Sequence, residues 1–329
     1  MNYDRSWDCP HDPSSEPAWQ ESDCYWFYDN ALGVGGFHRI GQTPNTGMGQ
    51  VDLFVFARGG ERYLLDPATK TRPIDKGDRW ATGHRVDGHV AESLGDKVLK
   101  FAWKEPGCTG DLEFYESFYA PRNWSKDGHS DAIMSDINPD GHLECSGRIR
   151  GKIRIGALMY DIDALAHRDR SWGVRGKSGD ISLHRYRMFS GAVGPELSFA
   201  SFGLDSLQIG FKSAGFVVRD GVDEDVVDLR CITTFDYDGI SPIGATAVLT
   251  LVGGEKLKLS VSPVQGRLGV GPGVGVSDTI CTFEYAGKTG FVDLELCSNP
   301  GRGTYVPKPY DVSLLATTSG LSKVNTYEI

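Results

Sequence analysis

Apolar and polar positions alternate in short runs along almost the whole chain. That is the period of half-buried β-strands, whose successive side chains point to opposite faces. Residues 50–57 (QVDLFVFA) read as a buried strand that turns through Arg58-Gly59-Gly60-Glu61 into a partner at residues 62–65. Residues 98–103 alternate, as do residues 112–119 (LEFYESFY). In the second run Leu112, Phe114, Glu116 and Phe118 share one face, and Glu113, Tyr115, Ser117 and Tyr119 the other. Further strands are expected at residues 24–31, 142–149, 152–162, 181–189, 197–202, 207–211, 215–219, 226–235, 247–252, 256–261, 279–285 and 291–297. Helical spacing is confined to residues 91–97 and a turn near 309–315. About sixteen to eighteen short strands at hairpin spacing predict an all-β protein, with too many strands for one small barrel. Two packed barrels or sandwiches would use them, with a divide near residues 176–206.

Composition narrows this picture. There are 42 glycines among 329 residues, about twice the ordinary share, and they follow no collagen period. Turns between short strands account for them. The glycines at 33–36 and 266–275 precede strands, not helices, so neither is a phosphate or dinucleotide loop. The second run reads as a flexible loop or lid. A net charge of −10 argues against a nucleic-acid or anionic-membrane surface. Seven scattered cysteines without a C-x-x-C pair point to reduced thiols, with neither a disulfide framework nor a structural zinc site. The opening MNYDRSWDCPHDP has no apolar core of signal-peptide length, and no apolar run is long enough to span a bilayer. A cytoplasmic protein is expected. Residues 1–23, polar and carrying Pro10, Pro13 and Pro17, read as an extended arm laid over the body.

One stretch breaks the rhythm. Residues 166–175 pack three arginines, an aspartate, a histidine and a tryptophan between segments that read as strands. Charges go inside only when paired. If alternation holds here, Asp169 points away from Arg168 and Arg170 and shares its face with His167 and Ser171. A carboxylate beside a histidine in a dry cavity can be tuned to move a proton. An Arg–Asp network bracing the strand is the other reading. Trp172 could form a cavity wall that stabilises positive charge, or pack as core. Arg175 could hold an oxyanion or a buried acid. The face that carries Tyr115 and Tyr119 is polar and aromatic and could line a ligand cavity; an ordinary solvent face is the other reading. Phe291, Asp293, Glu295 and Cys297 share another such face, where Glu295 is a candidate counter-ion for one of the arginines. The histidines match no three-ligand spacing, so no metal is expected. No G-x-S-x-G elbow occurs.

The run Arg168-Asp169-Arg170-Ser171-Trp172-Gly173-Val174-Arg175 resembles the R-D-H-S-W-G-x-R signature of lipocalin-like proteins related to carotenoid hydratase (hydroxyneurosporene synthase). Residues 287–295 resemble that family's closing G-x-x-G-x-G-x-x-E pattern, with Val292 in place of its third glycine. The resemblance implies two lipocalin-like β-barrels or curved antiparallel sheets packed side by side, here residues 24–190 and 191–329. Its members include hydratases of isoprenoid double bonds and fungal pericyclases, which work without metal, nucleotide or redox cofactor. Arg170 stands where the family has histidine, and arginine stays protonated, so that position holds no acid or base.

The expected activity is therefore that of a cofactor-independent lyase or isomerase. It would hydrate, dehydrate or cyclise a hydrophobic terpenoid, steroid or polyene. Asp169 would handle the proton, Trp172 would stabilise charge, and Arg168 and Arg175 would orient Asp169 or a polar end of the ligand. Tyr115, Tyr119, His167 and Glu295 would contact the substrate. The competing expectation is a non-catalytic carrier of an apolar ligand, in which residues 166–175 are only a brace.

Overall fold

The structure is a computed structural model that describes residues 3–126, 140–174, 183–206, 210–236, 242–271, 274–298 and 320–323. The first body contains β1 (Trp19–Asp29), β2 (Val34–Thr43), β3 (Met48–Ala57), β4 (Glu61–Leu64), β5 (Thr71–Pro73), β6 (Arg79–Trp80) and β7 (Gly83–Val86). It continues with β8 (His89–Gly95), β9 (Val98–Glu105), β10 (Cys108–Ser117), β11 (Arg122–Asn123), β12 (Gly141–Ile155) and β13 (Leu158–Val174). The second body is made of β14 (Leu183–Gly194), β15 (Leu197–Ser206), β16 (Gly210–Arg219), β17 (Val222–Phe235), β18 (Pro242–Leu251), β19 (Lys256–Gly271), β20 (Val274–Tyr285) and β21 (Lys288–Ser298). A last strand, β22 (Gly320–Lys323), returns to pair with β4.

The protein is all-β, as the alternation predicts, but the two bodies differ. β14 to β21 form a closed barrel in sequence order, with β21 pairing back onto β14. The other fourteen strands form one open sheet in the order β22-β4-β3-β2-β1-β13-β12-β10-β9-β8-β7-β6, with β5 on β3 and β11 on β12. This sheet curls until β7 and β8 touch β2 and β3. Only full closure removes sheet edges, and β6 remains an edge here. No helix among the described residues is long and apolar enough to cross a membrane.

Each body has its own core. Tyr25, Phe27, Val55, Phe101, Phe114 and Ile149 fill the curled sheet, and Phe189, Phe199, Val217, Leu249, Phe283 and Leu294 fill the barrel. A third cluster joins them: Trp26, Tyr28 and Phe37 of the sheet's outer face meet Ile280 and Phe291 of the barrel's outer wall. β1 is thus covered on both sides, which is why CYWFY reads as a continuous apolar run instead of an alternating one.

Several expected boundaries move. Residues 91–97 are not helical; 91–95 lie in β8, which has small inward residues (Ala91, Ser93, Gly95) and an exposed Leu94. That inverted polarity hides the two-residue period. The break expected near residue 150 is absent. β12 runs through Gly151 to Ile155, and the hairpin turns at Gly156, which has φ +60. Residues 166–174 therefore lie within β13 itself, not between strands. The glycine-rich run expected to form a lid is the β19–β20 hairpin. The turn expected near 309–315 lies outside the described residues, as do 207–209 of the strand expected at 207–211.

Trp172 sits directly across the ladder from Gly141, and a Cβ on Gly141 would come within 2.1 Å of the indole ring. The indole also stacks on His11 of the N-terminal arm, with centroids 3.9 Å apart. Gly141→Ala is expected to push the indole off His11 and to cost about 1–3 kcal/mol, as overpacking does. Chemical denaturation followed by tryptophan emission measures it; an unchanged midpoint would refute the packing.

Candidate functional site

β13 carries two different sets of charged groups on its two faces. The even-numbered side chains point into the curled sheet. There Arg168, about 1% exposed, donates from Nη1 and Nη2 to the two carboxylate oxygens of Asp8, at 2.7 and 3.2 Å. Its guanidinium lies over the Phe114 ring. Arg170 donates to Asp23, to Glu21 and, at 2.8 Å, to the Cys9 carbonyl. Arg79 and His11 also bind Glu21. Burial would raise the Glu21 carboxyl, but Arg170, with His11 and Arg79, holds it far below the usual carboxylate range. The arm's Asp8, Cys9 and His11 are thereby fixed inside the open sheet.

The odd-numbered side chains His167, Asp169 and Ser171 face the barrel side, the alternation expected from the sequence. The turn at Gly156 sets β12 against β13 so that Ser146 lies opposite His167, Glu144 opposite Asp169, and His142 opposite Ser171. Two carboxylates directly across a ladder repel each other. The histidines on the diagonals resolve this. His142 Nε2 is 2.6 Å from Asp169 Oδ2 and 3.1 Å from Glu144 Oε1. His167 Nε2 binds the other Glu144 oxygen, and its Nδ1 is 2.8 Å from Ser146 Oγ. Tyr119 closes the row, its hydroxyl accepting from Ser146 N at 2.8 Å.

Burial disfavours a charge on His142, but Asp169 and Glu144 outweigh it and push its pKa up to about 10. The imidazolium therefore persists at neutral pH beside a carboxylate. A folded-state pKa above the unfolded value of about 6.5 gives stability that is complete below that pH. It is lost as the pH rises through about 10. Thermal melts across this window should fall toward alkaline pH, and His142→Gln should flatten that slope. An equal slope in both proteins would refute the charge assignment.

The barrel supplies the facing wall. Asp278, Asp293 and Glu295 project outward from β20 and β21, and Tyr186 of β14 donates its hydroxyl to Glu295. Burial, with Glu295 adding to it, pushes the Tyr186 hydroxyl far up. Trp26 of β1 connects the two walls. Its ring lies 6.4 Å from that of His167, and its Nε1 donates to Asp278 Oδ1 at 3.0 Å. Ser146 Oγ also reaches the Gly191 carbonyl of the barrel at 3.3 Å.

Of the residues singled out in the sequence, the fold brings together Asp169, His167 and Tyr119 on one wall and places Glu295 on the other. Trp172 and Arg168 lie on the opposite face of β13 from Asp169, bound to His11 and Asp8. Tyr115 is on the outer surface of the curled sheet, bonded to Asp163 at 3.0 Å and to Arg148. A bulge between Phe114 and Glu116 breaks the face that Tyr115 and Tyr119 were expected to share. Arg175 lies outside the described residues. Sequence reading missed His142, Glu144, Ser146, Trp26, Tyr186 and Asp278. The spacing His142-x-Glu144-x-Ser146 on one strand face was the available signal, but it needs the turn at Gly156.

Two groups of donor atoms are close enough to share a cation among the described residues. They are His142, Glu144 and Asp169, and Asp278, Asp293 and Glu295, each within 4.8 Å. In the first group the imidazole nitrogen that would ligate an ion is hydrogen-bonded to Asp169 Oδ2 at 2.6 Å, with Glu144 Oε1 in ion-pair contact at 3.1 Å.

Solved structures share this two-body fold, three of them as follows. A protein of Nitrosomonas europaea designated an AttH has a TM-score of 0.63 and 12% identity, over 90% of this chain and 96% of its own. CghA in complex with Sch210972 has a TM-score of 0.55 and 12% identity, over 91% and 97%. Kievitone hydratase of Nectria haematococca has a TM-score of 0.55 and 10% identity, over 91% and 95%. At such identities the likeness is one of fold. No curated protein matches the sequence. One family profile does, across residues 4–300, and by that match the chain belongs to the family described as Domain of unknown function (DUF7064).

Proposed function

We propose that the chain is a cofactor-independent acid–base enzyme that hydrates, dehydrates or cyclises a hydrophobic small molecule at the surface between the two bodies. Asp169 and His142 are its proton-transfer pair. The observation that carries this reading is the buried carboxylate–imidazolium contact of 2.6 Å on the face of β13 that looks toward the barrel. A protonated histidine supplies an acid and the neighbouring carboxylate a base, the two requirements for adding or removing water across a double bond. Glu144 and His167 position the pair. Trp26 takes the aromatic role first given to Trp172. Glu295 with Tyr186 gives the opposite wall a second carboxylic group. Arg170, at the position of the resembled family's histidine, binds Glu21 and Asp23 on the other face of the strand. The departure at that position therefore touches the brace and leaves the Asp169 surface intact. A hydratase and a ligand complex share the fold, which supports the reaction type and leaves the substrate to experiment.

Native mass spectrometry of the purified protein would identify a retained small molecule. Incubating that molecule with fresh protein then distinguishes the outcomes. Gain of water, loss of water or a new isomer of unchanged mass supports the enzyme. Recovery of the unaltered molecule overturns it in favour of a carrier.

A further inference from the structure

The wall of the barrel opens at one place. The β16–β17 ladder pairs only from Arg219↔Val222 to Gly215↔Val226. Beyond that point β16 continues to Gly210 and β17 to Phe235 without a backbone ladder between them; Ser213 Oγ bridges them by accepting from Leu229 N at 3.1 Å and donating to Asp228 Oδ1 at 3.4 Å, while β17 stays paired to β18 as far as Phe235. A slot results, and it holds a cavity of about 650 Å³ lined by Arg187, Asp205, Phe211, Leu229, Arg230, Cys231 and Ile232. That size is ordinary for a small-molecule site. Phe211 and Ile232 are exposed at its rim, and Leu229 belongs to the barrel core.

Arg187 stands out in this apolar slot. It lies two residues from Phe189 on the inward face of β14, one strand wall away from Tyr186 and the inter-body site. The buried arginines of β13 each have an acid: Arg168 has Asp8, and Arg170 has Glu21 and Asp23. The slot's other arginine, Arg230, is bound to Asp228 Oδ2 at 2.8 Å. Arg187 makes neither a hydrogen bond nor an ion pair to any described residue. The slot's carboxylate, Asp205, lies across the β14–β15 ladder from Arg185, while Arg187 faces Gly203. A guanidinium beside apolar groups, with no ion pair to any described residue, matches a ligand that brings its own carboxylate.

We propose that this slot binds an amphipathic carboxylate of the fatty-acid class, with its carboxylate on Arg187 and its hydrocarbon against Leu229, Phe211 and Ile232. This site is separate from the inter-body site and does not rest on the reading of it. Isothermal titration with dodecanoate, dodecanol and dodecyltrimethylammonium, below their micellar concentrations, tests it. Dodecanoate is expected to bind at least about tenfold more tightly than the other two, the range of one charge-assisted hydrogen bond. Arg187→Gln should remove that preference and leave dodecanol binding unchanged, and Arg187→Lys should keep part of it. Equal binding of all three probes by the native protein overturns the proposal. So does a preference for dodecanoate that survives in Arg187→Gln. If Arg187→Gln fails to fold, the probe series on the native protein and on Arg187→Lys still decides.

Discussion

Asp169→Asn is expected to lower turnover by about 10²–10⁴-fold, the usual contribution of a positioned acid or base, while the protein remains folded. Asparagine keeps the shape of the side chain but can no longer accept a proton. His142 retains Glu144 at 3.1 Å as a counter-ion, so the imidazolium is not left unpaired. Turnover of the retained small molecule and far-ultraviolet circular dichroism read the two halves of this prediction. Full activity would remove Asp169 from the chemistry. Loss of the fold would make it a brace. His142→Gln should fall by a similar factor, and the double variant should be little worse than either single one, because the two groups act as a unit.

The second large effect falls on the other face of the same strand and on stability. Asp8→Ala is expected to cost about 3–5 kcal/mol, because it strands the Arg168 guanidinium, about 1% exposed, without its only acid partner among the described residues. Replacing both partners, Asp8→Leu with Arg168→Met, should recover much of that loss, since the desolvated charge is then gone. Urea denaturation of the two singles and the double closes the cycle. A cost below about 1 kcal/mol for Asp8→Ala would mean that the arm is not held by this pair, as for an exposed bridge.

These two effects separate functions that the sequence presents in one run. In residues 168–172, period-two alternation alone predicts that Asp169 parts from Arg168 and Arg170, and that part of the site is legible. The partners are not. Asp8 lies 160 positions from Arg168, and no local pattern marks a buried aspartate in a polar, proline-containing arm. His142 and Glu144 were within reach but depended on register. A turn placed at Gly151 dissolves their pairing with Asp169, whereas the true turn at Gly156 fixes it through the whole ladder. The strand rhythm was legible wherever inward residues are large. It failed at β8, where they are Ala91, Ser93 and Gly95, and at Tyr115, where a bulge shifts the phase. Trp26 and Asp278 meet only because an open sheet packs against a closed barrel. That packing depends on the shapes of both bodies, which alternation within one strand does not encode.

The account's central claim is proton transfer through Asp169, and exchange with solvent tests it most directly. The retained small molecule, brought to equilibrium with the protein in deuterium oxide, should take up deuterium at the carbon that gains or loses the proton, as read by mass spectrometry. Asp169→Asn should abolish the uptake. Conversion without any deuterium in the native protein, or uptake undiminished in Asp169→Asn, would contradict the assignment.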